Sequence, residues 1–362
     1  MKTISILNHV LGPVMRGPSS SHTAGAFHIA SMARSLLGSA PRRAVLAFDP
    51  AGSYAATYVQ QGADRGFAMG LMGKPLTDES FFTALADAPR SGMQISFEIR
   101  ELAKADHPNT VEIQLTSTDG CELSVLARSI GGGEVEITSI DGRPVLFNGS
   151  AYEVLVEVPA ALASAAQLLL ARDGGLLESS VHDSVRLVGR RRTSLPSQLR
   201  EDLLALHPSV RFWESAPVYF VQTGQPLFAS ASEMVRIAQE GGLSLGRIAL
   251  AYEAQLLGLS EAQVMQEALR RYDIMVQAVQ RGLNPQFTGL QLLSASAGSI
   301  YQAELAGKLS ARSLHTRAAA RAMAVMHVDG AMGVVCAAPT GGSAGVIPGT
   351  LTTLAEERSL TR

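Results

Sequence analysis

Cysteine is nearly absent: Cys121 and Cys336 are the only two in 362 residues. Two unclustered cysteines cannot by themselves make a zinc site or hold an iron–sulfur cluster in the usual way, and two buried, reduced thiols are the plainer reading. Eight histidines are scattered without a His-x-x-x-His pair, so no metal site is visible in the chain. Charge is scarce too. Only 17% of residues are Asp, Glu, Lys or Arg and the net charge is −2, which gives no bulk pull toward nucleic acid or an anionic membrane. No apolar run is long enough to span a bilayer. The opening "MKTISILNHVLG" lacks the long apolar core and small-residue cleavage site of a signal peptide, so a cytoplasmic protein is expected.

Apolar residues, by contrast, make up 46% of the chain. With so little charge, some exposed apolar surface is expected to meet a partner subunit. The length suggests two or three domains. In residues 1–150, helix patterns ("AGAFHIASMARSLLG", "ATYVQQGADRGFAMGLMG") accompany strand patterns ("RAVLAFDPAGSYA", "MQISFEIRE", "TVEIQLTS", "CELSVLARSIGG", "GEVEITSIDG"), which predicts a mixed α/β domain with an antiparallel part. Residues 151–225 read as β-α-β-α-β with a further strand, a small ferredoxin-like (ACT-like) domain. From 226 to 362 the pattern is helical, with Ser232 and Ser260 as plausible caps, the latter opening a capping-box sequence. The fold class expected is α+β.

Two loops carry the chemistry. "RGPSSSHTAG" (16–25) sets Ser19, Ser20, Ser21, His22 and Thr23 between glycines, where a helix is about to begin. Backbone N–H groups at a helix start concentrate positive potential, hydroxyls add hydrogen bonds, and His22 can donate to a carboxylate or shuttle a proton. It is not a P-loop, because no Gly-Lys-Ser/Thr follows. An anion cradle and an ornate helix cap both fit these residues. "AAPTGGSAGVIPG" (337–349) has the same style, with Thr340, Gly341, Gly342 and Ser343 near a helix start; a close-packed turn between buried helices is its plainer reading. If both loops serve one ligand, Ser19 to Thr23 should face Thr340 to Ser343 across one cleft.

"GPSSSHTAG", then "HPNT" (107–110), "SIGGG" (129–133) and "AMGVVCAAPTGGSAGVIPG" (331–349), in this order, resemble the iron–sulfur-dependent L-serine dehydratases. The likeness runs end to end, a β part followed by the start of an α part. It implies a lyase that converts L-serine to pyruvate and ammonia, a small amino-acid substrate, and a [4Fe-4S] cluster with three cysteine ligands and one open iron. It also implies a substrate carboxylate and ammonium held by the serine-rich loop, and a homodimer or a complementary α-type chain as partner. Catalytic roles are expected for His22, Asp64 and His327.

The sequence also departs from the resemblance. The family's three cluster cysteines are expected beyond the Pro-Thr-Gly loop, and none stands among the 13 residues after Gly349. Where the family has a Gly-His-x-Thr-Asp segment, this chain has Gln61, Ala63 and Asp64, and glutamine is no base near neutral pH. His327 and Asp329 stand where relatives carry Glu and Asn. Three readings follow: a serine dehydratase-like lyase, a lyase for another β-substituted amino acid, and a non-catalytic amino-acid-binding or regulatory paralogue. The chain alone is expected to lack dehydratase activity and to bind a small amino acid or carboxylate weakly.

Overall fold

The alternation in the first third builds a six-stranded sheet in the computed structural model, which describes residues 3–171, 176–181, 184–310 and 313–360. In chain order the elements are β1 (Val14–Arg16), α1 (Gly25–Leu37), β2 (Pro41–Phe48), α2 (Ser53–Thr57), α3 (Ala63–Met72), α4 (Ala84–Arg90), β3 (Gln94–Ile99), β4 (Thr110–Ser117), β5 (Glu122–Gly131), β6 (Glu134–Ile140) and β7 (Arg143–Phe147). The sheet order is β3-β2-β4-β5-β6-β7. All neighbours are antiparallel except β2 and β3, which are parallel and joined through the helices between them. One face buries Leu46, Ile113, Val125 and Ile137 against Ile29 and Phe67 of α1 and α3. A Cβ at Gly70 would lie 2.6 Å from the Phe27 carbonyl oxygen, so α3 reaches α1 only because glycine stands there. The single helix expected over residues 56–73 is two pieces, since the chain turns at Gly62 with φ +66°.

A second sheet follows: β8 (Tyr152–Val158), α5 (Ala163–Ala171), β9 (Leu176–Val181), β10 (Val185–Arg191), α6 (Ser197–Ala205) and β11 (Arg211–Ser215). Its order β11-β8-β10-β9, antiparallel throughout, is the ferredoxin-like arrangement. Val154, Val156, Leu187 and Leu203 form its own core. Leu155 and Trp213 point the other way and join the core of the first sheet. The strand expected over "SVRFWESAPVYFVQ" ends at Ser215. Beyond it the Val218 amide donates to Gly149 O (2.9 Å) and the Phe220 amide to Asn8 Oδ1 (3.0 Å). The end of the helix expected over "ALASAAQLLLARDGG", at 172–175, lies outside the described residues.

The remainder is α7 (Ala231–Glu240), α8 (Leu245–Leu257), α9 (Glu261–Leu283), α10 (Ala297–Leu305), α11 (Leu314–Gly330), β12 (Val334–Cys336) and α12 (Ser343–Glu357). Ser260 and Gln263 make the expected capping box. The cap of α7 is Ser230, whose hydroxyl accepts from the Glu233 amide (3.2 Å); Ser232 lies inside the helix instead. The N-terminal segment is tied into this helical part. Glu253 of α8 accepts from the Ile6 and Leu7 amides (2.8 and 2.9 Å), and Arg271 of α9 donates to the carbonyls of Leu7 and Leu11. Among the described residues no helix is long and apolar enough to cross a membrane.

Candidate active site

A three-residue ribbon joins the two ends of the chain. β1 pairs antiparallel with β12, Val14 opposite Cys336 and Arg16 opposite Val334. The Ala337 amide extends it to Pro13 O (2.9 Å) and the Gly17 amide to Gly333 O (3.1 Å). The serine-rich loop leaves one end of this ribbon and the Pro-Thr-Gly loop leaves the other. Both fold onto one cavity of about 250 Å³, whose wall includes Ser20, Ser21, Thr340, Gly341, Gly342 and Asp329. Gly131 and Gly132 of the "SIGGG" turn complete it.

Both loops bring helix starts to this wall. Ser20 opens a π-type turn (Ser20–Ala24) that runs directly into α1, and Gly342 precedes α12. The first N–H groups of a helix have no partner within it. Among the described residues no acceptor takes the amides of Ser20, Ser21, Gly341, Gly342 or Ala344. Two helix starts whose N–H groups have no protein acceptor therefore lie on one cavity wall, an arrangement suited to an anion.

The hydroxyls divide into those turned to the cavity and those used in building it. No described residue bonds the Ser20 hydroxyl, which lies on the wall. Ser19 caps the turn, accepting from the His22 amide (3.1 Å). Thr23 is fully buried and donates to Gln61 O (2.7 Å), so it ties the loop to the α2–α3 turn and is not on the wall. Thr340 and Ser343 hydroxyls are 2.6 Å apart and serve each other; Ser343 stands behind the wall.

His22 is buried behind the serines. Its Nδ1 lies 3.1 Å from Ser21 Oγ and 3.3 Å from Ser19 Oγ, and its Nε2 lies 3.0 Å from Ser53 Oγ. Burial holds its pKa below the usual imidazole value, which favours the neutral ring. His22 thus reaches the cavity through Ser21 rather than by lining it.

Asp64 and His327 are not on the wall. Asp64 is buried in the first turn of α3, where it accepts from the Arg65 amide (2.7 Å) and burial raises its pKa. His327 stacks on Phe287 at 6.4 Å, and burial lowers its pKa. Asp329, two residues further on, is the group that reaches the cavity. Residues two apart on a helix face different sides, so α11 cannot present both. Asp329 is 7% exposed, and burial pushes its pKa up to about 7.

The other motifs support the wall from behind. Asn109 of "HPNT" receives the Ser129 amide on its carbonyl (3.2 Å) and donates through Nδ2 to Ser129 O (3.3 Å). His28 Nδ1 and the Tyr219 hydroxyl both bond Gly133 O, at 2.7 and 2.6 Å, which fixes the triple-glycine turn. Sequence reasoning missed His28 and Tyr219, which lie outside the quoted motifs.

A [4Fe-4S] cluster does not fit the residues present. Along β12, Val335 and Ala337 line the cavity, so alternation turns Cys336 away from it. The Cys336 Sγ lies 3.1 Å from Leu11 O, and burial raises its pKa to about 11, which disfavours the thiolate a cluster needs. Cys121 is exposed at the turn between β4 and β5. Among the described residues no group of three or more His, Cys, Asp or Glu is arranged to hold a metal ion.

Comparison with known proteins places the chain in context. The family described as serine dehydratase alpha chain matches residues 240–361. A probable L-serine dehydratase beta chain of Bacillus subtilis is 40% identical over 156 residues, covering 43% of this chain and 69% of that relative. The L-serine dehydratase beta chain of Peptoniphilus asaccharolyticus is 37% identical over 150 residues, covering 41% and 67%. A probable L-serine dehydratase alpha chain of Bacillus subtilis is 30% identical over 136 residues, covering 38% of this chain and 45% of that relative.

Proposed function

The chain belongs to the L-serine dehydratase family, and from that premise we propose that its central cavity binds L-serine as the substrate of a β-elimination. The observation that carries this reading is the convergence of two helix starts, with the amides of Ser20, Ser21, Gly341, Gly342 and Ala344 unpaired. A carboxylate seated there gains several charge-assisted hydrogen bonds, and the Ser20 hydroxyl adds another. In the overall reaction serine loses its α-proton and its β-hydroxyl as water. The aminoacrylate that remains tautomerises to an imine, which water hydrolyses to pyruvate and ammonia. His22, kept neutral by burial, takes the α-proton through Ser21 Oγ.

Hydroxide is a poor leaving group, and the residues present do not form a cluster site to assist it. As partner we propose an alpha-type polypeptide, because the relatives named beta chain and alpha chain are separate proteins. Val346, Leu351 and Leu354 on α12 are 58%, 42% and 36% exposed, an apolar face for such a partner to cover. A second reading, amino-acid binding without turnover, is favoured by Gln61 and by the position of Cys336. Titration calorimetry with L-serine, coupled to a pyruvate assay with and without an alpha-type partner, tests both. Saturable binding supports the cavity, and pyruvate release decides between lyase and binding protein. Absence of binding overturns the proposal.

A further inference from the structure

The cavity wall carries both donors and an acid. The loops supply unpaired N–H groups, and Asp329 stands on the same wall as its single acid. Among the described residues no side chain or backbone donor reaches the Asp329 carboxyl, although the residue is more than nine-tenths buried. A buried carboxylate without a partner is costly, and the cost is recovered when a cation is seated beside it. The neighbouring charges are committed elsewhere. Arg16 donates to Met332 O, Thr77 O and Glu79; Arg65 reaches the Met332 sulfur; His22 is enclosed by serines; His327 is off the wall, its Nδ1 buried without a partner among the described residues and its charged form disfavoured by burial. Among the described residues no lysine or arginine lines the cavity.

Resting on the serine-binding reading above, we propose that Asp329 receives the ammonium group of the bound amino acid, so that the cavity selects zwitterionic amino acids over plain hydroxy acids. The carboxylate of the ligand then sits on the helix starts and its ammonium on Asp329, so each charged group of the zwitterion meets its opposite on the cavity wall. Asp329 is here a binding and specificity residue and takes no part in bond breaking.

The test compares L-serine with 3-hydroxypropionate, which is serine without its amino group, by titration calorimetry on wild type and Asp329→Asn. Wild type should bind L-serine at least about tenfold more tightly than 3-hydroxypropionate, the scale of one charge-assisted hydrogen bond. Asp329→Asn should lose most of that preference, weakening L-serine by about tenfold and leaving 3-hydroxypropionate within about twofold. Because the Asp329 pKa is about 7, L-serine affinity of wild type should fall between pH 8 and pH 6, while that of the variant stays flat. Equal weakening of both ligands, or an unchanged preference, overturns the role of Asp329 while serine binding stands. Failure of wild type to bind either ligand overturns the serine-binding reading, and this inference with it.

Discussion

The backbone of Gly17 lies against Asp329 so closely that a Cβ at Gly17 would stand 2.4 Å from Asp329 Oδ1 and 2.0 Å from its carbonyl oxygen. The serine-rich loop and the end of α11 are in contact there with no space for a methyl group. Gly17→Ala should cost about 1–3 kcal/mol, as overpacking does, and should abolish serine binding by moving one wall of the cavity. Gly246→Ala on α8, where a Cβ meets nothing within 4 Å, should be neutral or stabilising by up to about 1 kcal/mol. Urea denaturation of both variants measures the difference.

Thr23 and Ser20 separate stability from binding. The Thr23 hydroxyl is buried and bonded to Gln61 O, so Thr23→Val should cost about 1–3 kcal/mol by leaving that carbonyl unsatisfied. Ser20→Ala removes a hydroxyl with no partner among the described residues; it should weaken L-serine binding several-fold and leave the denaturation midpoint unchanged.

The serine motif and the glycine loop are legible in the sequence as paired polar, small-residue loops. Their meeting is not. The ribbon that joins them is only "VMR" against "VVC", three residues each, too short for any periodicity to show. Within the loop, composition makes Ser20 and Thr23 look alike, and only the packing of α3 turns Thr23 inward. Helix phase has the same effect on α11, where His327 attracts attention as a titratable side chain but Asp329 reaches the wall. Ser260 is readable as a cap because its partner Gln263 is three residues away. The chain order of strands and helices in residues 151–225 is readable from alternation and turns, whereas the placing of β8 between β11 and β10 is not. The sharing of Leu155 and Trp213 with the first core is not readable either, because it depends on how the two sheets face each other.

Asp329 gives stability a pH dependence of definite sign. Its folded pKa, about 7, lies above the ordinary carboxyl value of 3.8, so the native state binds more protons between those values. Its contribution is full below the ordinary value and is lost as pH rises toward 7, at ~1.4 kcal/mol for each pH unit crossed. Asp329→Asn should therefore be more stable than wild type at pH 8, with the advantage shrinking toward pH 4. Denaturation midpoints across that range check it.

His28 acts in the opposite sense. Burial lowers its pKa from 6.5 to about 4, so the unfolded chain binds the extra proton. Stability is full above 6.5 and is lost as pH falls through this window. His28→Leu should flatten the acid limb of the stability curve. It should also loosen Gly131 and Gly132 and weaken serine binding, because the Gly133 carbonyl keeps only the Tyr219 hydroxyl.

The central claim is that one ligand bridges the two loops, and the backbone amides report it most directly. In a two-dimensional nitrogen–proton spectrum of the deuterated chain titrated with L-serine, the Ser20, Ser21, Gly341, Gly342 and Ala344 amides should shift together with one dissociation constant. Shifts confined to the cavity beside His9, Glu134 and Tyr219, or to the ferredoxin-like unit, with these five amides unmoved, would contradict it.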